Sequence, residues 1–125
     1  MVRVHAIFAI AIAVVACAAC TTERAYRGYA LPRAEVAIVR ADPAFSAGLP
    51  VQVRLRRAGD RDVPLQASAV ELPPGHQTLL VDCRMQQSGE TRRFVVEAEL
   101  EAGAEYRLVA QASARNCDAV ELVRR

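Results

Sequence analysis

The stretch Glu71-Leu-Pro-Pro-Gly-His-Gln-Thr-Leu-Leu-Val-Asp-Cys83 decides the fold, because it joins a sharp turn to the clearest core strand of the chain. Proline fixes φ and removes a ladder donor, and glycine accepts positive φ, so Pro73-Pro74-Gly75 predicts a turn between two strands. In the second of these strands, Leu79, Val81 and Cys83 alternate with their neighbours and share one face. The stretch therefore predicts β architecture.

Short apolar or alternating runs separated by turn residues recur on both sides of this stretch. Val51, Val53 and Leu55, for example, alternate with polar residues, which is the period of a half-buried strand. About seven strands at roughly ten-residue spacing are typical of a β-sandwich or small barrel. We expect an all-β fold, a small antiparallel β-sandwich. The predicted strands are 35–41, 51–56, 65–72, 76–85, 91–101, 106–112 and 118–123.

The composition limits the chain to one small domain. Its 125 residues include only 5% aromatic residues and no tryptophan. A chain of this size has room for a single core, and many of its apolar residues are alanine, which buries little area. A thin core of this kind would benefit from a covalent crosslink.

The N-terminus has the pattern of a targeting segment. A short, weakly basic start precedes the unbroken apolar run 6–16, which ends in small side chains beside cysteine. The run is shorter than the ~20 residues that span a hydrocarbon core, so it indicates a signal peptide rather than a permanent transmembrane helix. We expect it to be helical.

Val14-Val15-Ala16-Cys17 resembles the lipobox of bacterial lipoproteins, in which small and branched residues precede a lipidated cysteine. The next cysteine, Cys20, is an alternative site, although Cys17 then stands where that motif usually has leucine or valine. Lipidation of Cys17 is favoured on this ground. The cysteine count favours Cys20, because processing there leaves an even pair in the mature chain. Both alternatives stay open.

This resemblance implies a lipoprotein of the Gram-negative cell envelope, anchored to a lipid bilayer through an N-terminal acyl group. Neither Ala18 nor Thr21, the residues after the two candidate cysteines, is the aspartate that favours inner-membrane retention in enteric bacteria. The analogy therefore implies the periplasmic face of the outer membrane rather than the inner membrane. The predicted organisation is a signal peptide at 1–16 (alternatively 1–19), a tether at 17–33 and a β-sandwich domain at 34–125.

A second resemblance rests on two turns. Leu72-Pro-Pro-Gly-His-Gln-Thr-Leu79 and Glu101-Ala-Gly-Ala-Glu-Tyr-Arg-Leu108 are similar to the turns that start strands in small PEGA-like periplasmic β-domains. The literal Pro-Glu-Gly-Ala sequence is missing. The resemblance implies an accessory domain of the surface or envelope and names no ligand.

Cys83 and Cys117 are the cysteines of the predicted domain, and export places them in an oxidising compartment. We predict a disulfide between them; the alternative is two buried free thiols. Closing a loop of 34 residues would stabilise the domain by roughly 3 to 4 kcal/mol on the chain-entropy estimate.

No motif for catalysis, metal binding or cofactor binding is evident in the sequence. His76 lacks the spacing of a zinc site or a catalytic triad, so it is interpreted as a structural turn residue. Glu97, Glu99 and Glu101 are interpreted as a solvated strand face. No catalytic, cofactor or metal residue is therefore predicted, and we do not expect an enzyme.

Charge gives no indication of nucleic-acid binding. The net charge is +2, all basic residues are arginine, and acidic and basic residues alternate along the chain. The pairs Arg56-Arg57 and Arg92-Arg93 are interpreted as solvated strand faces, since nucleic-acid binding needs a clustered basic surface.

The sequence thus favours a membrane-anchored periplasmic lipoprotein that acts as a binding or structural module, with an envelope protein or glycan of unknown identity as its partner. The alternative is a secreted, unanchored β-domain that acts as an inhibitor or ligand carrier. Acylation of the N-terminal cysteine separates the two hypotheses.

Overall fold

A computed structural model describes residues 21–41, 44–46, 49–113 and 116–125. The predicted signal peptide with its helix, and the candidate lipidation sites Cys17 and Cys20, lie outside these residues. A short 3-10 helix covers Arg33–Glu35. The strands are β1 (Thr21–Arg24), β2 (Ala37–Arg40), β3 (Ala44–Ser46), β4 (Leu49–Ala58), β5 (Arg61–Asp62), β6 (Ala67–Leu72), β7 (Gly75–Met85), β8 (Thr91–Leu100), β9 (Glu105–Ala112) and β10 (Cys117–Arg124).

The strands form two sheets, which confirms the predicted all-β class. The first sheet has the order β1-β6-β2-β9-β10, and the second has the order β3-β4-β7-β8 with β5 paired to β4. Every pairing in the second sheet is antiparallel among the strands described. A single hydrophobic cluster lies between the sheets.

Two details differ from the prediction. The described residues contain ten strands rather than about seven, because β1, β3 and β5 have 4, 3 and 2 residues, too few for an alternation to be recognised. The first sheet also contains two parallel pairs, β1 with β6 and β2 with β9, so the arrangement is not wholly antiparallel. Periodicity carries no information on strand direction.

The strand β1 lies within the segment predicted as a tether. Its residues pair in parallel with β6. The next residue, Ala25, donates a backbone hydrogen bond of 2.9 Å to the carbonyl of Glu71 in β6. The first sheet therefore already includes residues from position 21 onward, ahead of the predicted domain boundary at 34.

The parallel pair β2 and β9 is also connected through side chains. Arg40 Nε donates a hydrogen bond to Glu105 Oε1. This bond, supported by the charges of Arg40, Arg125 and Arg33, holds the pKa of Glu105 below its ordinary value against the opposing effect of desolvation. An ion pair therefore joins two strands that are distant in sequence.

Alternate residues of β4 and β7, the two inner strands of the second sheet, contribute their side chains to the core. On β7, Leu79, Val81 and Cys83 have 0% exposure, as their shared face predicts. The facing sheet contributes the buried side chains of Leu72 and Leu108. Burial of a leucine of this kind contributes roughly 1.5 to 3 kcal/mol, so these few large side chains supply much of the hydrophobic stabilisation.

The two quoted turns both carry the chain from one sheet to the other. Pro73 and Pro74 connect β6 of the first sheet to β7 of the second, and 101–104 connects β8 of the second to β9 of the first. Gly103 has φ +79°, and its N–H donates to the carbonyl of Val36 at 2.8 Å. A positive φ suits glycine, which has no Cβ to clash with the backbone. The connection 86–90 instead closes a hairpin within the second sheet, as its length predicts.

A β-bulge interrupts β4 at its two consecutive arginines. Leu55 pairs with Val81 while Arg57 pairs with the preceding residue Leu80, so Arg56 is the extra residue. Strict alternation would turn Arg57 into the core. Because of the bulge, both arginines stay at the surface and Ala58 returns to the core with 2% exposure.

A tyrosine fixes the turn between β8 and β9. The hydroxyl of Tyr106, a residue with 7% exposure, accepts a hydrogen bond of 2.9 Å from the backbone N–H of Glu101. Tyr26 makes the same type of bond, 2.9 Å from Leu31 N, in an exposed segment. The chain therefore contains a partly buried bond and an exposed one with the same five-residue spacing.

Tyr106→Phe is expected to lower the free energy of unfolding by about 1 to 2 kcal/mol, because the N–H of Glu101 loses a partly buried hydrogen bond. Tyr26→Phe is the matched control and should cost less than about 0.5 kcal/mol, since water replaces the hydroxyl there. Urea unfolding monitored by circular dichroism measures both. Equal losses from the two substitutions would contradict the assigned role of Tyr106.

None of the helical structure that the described part of the chain contains is long and apolar enough to cross a membrane.

Candidate functional site

The predicted disulfide is confirmed. Cys83 of β7 and Cys117 of β10 are bonded, with their Cα atoms 6.3 Å apart. Since β7 belongs to the second sheet and β10 to the first, the bond connects the two sheets covalently. Cys83 and Cys117 have 0% and 1% exposure, so the disulfide lies in the core and not at a surface where thiols could exchange.

The side chain of Arg92 lies beside the disulfide. Its Nη1 donates to the carbonyl of Cys117 at 3.0 Å, and its guanidinium lies 5.4 Å from the ring centre of Phe94. Arg92 pairs with Cys83 in the ladder between β8 and β7. It therefore reaches from the second sheet to the first beside the bond.

His76 lies in β7 rather than in a turn, because the strand begins at Gly75. This corrects its interpretation as a turn residue. Its Nδ1 is 3.1 Å from Glu99 Oε1 and its Nε2 is 3.9 Å from Glu97 Oε1, across the ladder to β8. All three side chains are more than half exposed. They form an exposed polar group of a kind that typically contributes little to stability.

The acidic face predicted for 97–101 is present, with Glu97, Glu99 and Glu101 exposed. Glu101 Oε2 accepts a hydrogen bond of 2.6 Å from Arg124. Within the described ranges, no group of three or more His, Cys, Asp or Glu side chains has the arrangement of a metal site.

Five side chains on the outer face of the second sheet form what we term the arginine cluster. The two ladders through β7 place them together: Arg54 pairs with Asp82, and Asp82 pairs with Arg93. Four guanidinium groups thus surround one carboxylate. The members of the cluster are Arg54, Arg56, Asp82, Arg84 and Arg93.

Two of these arginines hold the carboxylate. Arg93 donates to both oxygens of Asp82, from Nε at 2.8 Å and from Nη2 at 3.3 Å, and Arg56 Nε lies 3.6 Å from Oδ2. The hydrogen bonds and then the charge of Asp82 raise the pKa of Arg93 above its ordinary value. The side chain of Asp82 is only 15% exposed, and its negative charge is paired with the positive charges of Arg56 and Arg93.

The other two arginines of the cluster have no such partner. Within the part of the chain that the structure describes, neither Arg54 nor Arg84 forms an ion pair. Both line a shallow depression of about 170 Å³ together with Asp82, Gln52 and Thr91. The depression therefore presents two uncompensated guanidinium groups, an amide and a hydroxyl to solvent.

A larger groove adjoins the arginine cluster on the same face. It has a volume of about 680 Å³, and Leu80, Val63 and Leu65 contribute its apolar part. Arg56 and Arg93 form part of its rim. Leu65 is 60% exposed and Val95, farther along the same face, is 65% exposed. The outer face of the second sheet thus combines positive charge with accessible apolar surface.

The sequence interpretation missed this arrangement. It treated Arg56-Arg57 and Arg92-Arg93 as separate solvated pairs, whereas the fold brings Arg56 and Arg93 together on Asp82 from strands on opposite sides of β7. The alternation of 52–55 and 79–84 places Arg54, Asp82 and Arg84 on outer faces. Only the strand order shows that these faces are adjacent.

Comparisons with protein-family models, curated proteins and solved structures find no match for this chain.

Proposed function

We propose that the chain is a lipid-anchored lipoprotein of a Gram-negative envelope with a PEGA-like periplasmic β-domain, and that this domain is a binding or structural module and not an enzyme. It is held at the periplasmic face, at the outer rather than the inner membrane. Its partners are the lipid bilayer, through the acyl anchor, and an envelope protein or glycan.

The observation that carries the binding role is the outer face of the second sheet. Among the residues that the structure describes, Arg54 and Arg84 have no ion-pair partner and line an open depression, in contrast to the paired Arg56 and Arg93. Isolated charges of one sign at a concave surface attract ligands of the opposite sign. The proposal therefore assigns this face to ligand binding.

The exported location has separate support in the disulfide. Structural disulfides persist in the periplasm and outside the cell, whereas cytosolic thiols are kept reduced. The bond between Cys83 and Cys117 is buried and joins two sheets over a thin core. Such a bond suits a small domain that folds after export.

We expect mass spectrometry of the mature protein from membranes to find an acylated N-terminal cysteine, Cys17. Cys17→Ser should abolish membrane retention, whereas Cys20→Ser, the matched control, should leave it intact. The reverse pattern would assign the anchor to Cys20. A mature N-terminus acylated at neither cysteine would contradict the anchor and favour the secreted, unanchored domain.

A further inference from the structure

We infer that the depression between Arg54, Arg84, Gln52 and Thr91 is a binding site for a phosphomonoester group. The inference rests on the proposed binding role and names its ligand class, but it does not depend on the acyl anchor.

The charge of the site matches a dianion. Arg93 and Arg56 are engaged by Asp82, so the two arginines of the cluster without an ion-pair partner among the described residues are Arg54 and Arg84. A phosphomonoester carries a charge of about −1.5 to −2 at neutral pH, whereas a carboxylate or a phosphodiester carries about −1. Two open guanidinium groups are therefore better compensated by the monoester.

The donors of the site also fit phosphate. Guanidinium groups bind phosphate oxygens with two parallel N–H bonds, and the three terminal oxygens of a monoester can accept from several donors at once. Arg84 pairs with Gln52 on one side and with Thr91 on the other. Arg54 lies diagonally from Arg84, a position where side chains of neighbouring strands are about 7 to 8 Å apart and long ones meet. Two guanidiniums, an amide and a hydroxyl can thus converge on one group.

One acidic group lines the site as well. Asp82 would repel an anion, but its carboxylate is held by the fork of Arg93 and by Arg56. With these two arginines included, the surroundings contain four positive charges and one negative charge. The ion pairs also hold Asp82 in place.

The size of the depression limits the ligand to one small group. Its volume of about 170 Å³ is below the roughly 300 to 1,000 Å³ of pockets that enclose drug-sized molecules. The phosphate can therefore belong to a small soluble molecule or to a lipid headgroup whose apolar part reaches the groove around Leu65 and Leu80. The shared chemistry is the monoester.

The test uses the full-length protein and methyl phosphate as the soluble probe, with backbone NMR shifts as the readout at matched ionic strength. We expect saturable shifts at 52–54, 82–84 and Thr91. Dimethyl phosphate and acetate, which carry one charge, should bind about tenfold more weakly. Equal affinity for acetate would overturn the assignment to phosphate, and the absence of saturable shifts would overturn the site.

Matched substitutions locate the site. Arg54→Gln and Arg84→Gln should each weaken methyl phosphate binding about tenfold, because each removes one charged donor. Arg57→Gln is the control, since Arg57 lies on the same face but is paired with Asp62 at 3.1 Å and does not line the depression. If Arg57→Gln weakened binding as much as Arg84→Gln, the effect would be general screening and the site would be refuted.

Vesicles distinguish the source of the phosphate. Phosphatidic acid presents a monoester and phosphatidylglycerol a diester, so vesicles of equal surface charge isolate the headgroup chemistry. Preference for phosphatidic acid that is lost in Arg84→Gln would assign a lipid headgroup. Equal binding to both vesicles, with methyl phosphate binding retained, would assign a soluble monoester. The vesicle measurements use a Cys17→Ser/Cys20→Ser background, which cannot carry the acyl anchor, so failure of the site and failure of the anchor are distinguishable.

Discussion

Reduction of the Cys83–Cys117 disulfide is expected to lower the free energy of unfolding by about 3 to 4 kcal/mol. The bond closes a loop of 34 residues, and the chain-entropy relation gives this value for the freedom that reduction restores to the unfolded chain. A small domain of this kind is stable by about 5 to 15 kcal/mol. The bond therefore provides a large share of the stability.

The experiment compares urea unfolding of the same chain with and without reductant, in a background that carries Cys17→Ser and Cys20→Ser so that no other thiol can exchange. The reduced chain should unfold at lower urea. It should also show a larger dependence of the unfolding free energy on urea, because an uncrosslinked unfolded chain exposes more surface.

The double variant Cys83→Ala/Cys117→Ala is the control for the reductant, and its midpoint should not change when reductant is added. The native protein should also react slowly with reductant, since Cys83 and Cys117 are buried. Identical midpoints for the oxidised and reduced chains would contradict a stabilising role of the bond.

The features that depend on local sequence were predictable. Alternation in 51–55 and 91–101 identified the half-buried strands β4 and β8, because a period of two follows directly from the pleat. The turn at Pro73-Pro74-Gly75 follows from the limited φ of proline and the missing ladder donor. The pairing of Cys83 with Cys117 followed from the number of cysteines in the domain and the expected compartment.

The features that depend on strand order were not predictable. The parallel partner of β2 is β9, more than sixty residues away in the chain, and no local pattern specifies it. The arginine cluster depends on β7 lying between β4 and β8, because only that order brings Arg54, Asp82 and Arg93 into one row. The sequence of each strand shows which arginines face outward. It does not show whether arginines of different strands lie next to one another in the sheet.

The bulge in β4 is an intermediate case. The two consecutive arginines Arg56 and Arg57 break the alternation of 51–55, and this break is visible in the sequence. An extra residue between Leu55 and Arg57 reconciles the pattern with the pleat. The sequence could therefore indicate that a residue is extra, and the register in the structure identifies it as Arg56.

Deletion of Arg54 is expected to lower the free energy of unfolding by about 3 to 6 kcal/mol, whereas deletion of Arg56 should cost only about 1 to 2 kcal/mol. Without Arg56, Leu55 and Arg57 become neighbours and keep their native partners in β7. The strand then alternates regularly. The remaining cost comes from the carbonyl of Arg56, which accepts a 2.9 Å bond from Val63 N.

Deletion of Arg54 leaves no acceptable register. If the bulge is lost, Leu55 moves to the outer face and Arg56 enters the core opposite Val81. If the bulge is kept, Val51 and Val53 move to the outer face. Either outcome exposes side chains that are now 1 to 3% exposed, at roughly 1.5 to 3 kcal/mol each, and the first also buries a charge.

The two deletions are matched, since each removes one arginine from the same strand and the same face, and urea unfolding compares them directly. We expect the larger loss of stability from the Arg54 deletion, because Arg54 lies in the regularly alternating part of the strand. Arg56 is the extra residue of the bulge, so its removal leaves the alternation intact. If Arg56 deletion were as damaging as Arg54 deletion, the register of β4 against β7 would be wrong. The arginine cluster, which depends on that register, would then lose its geometric basis.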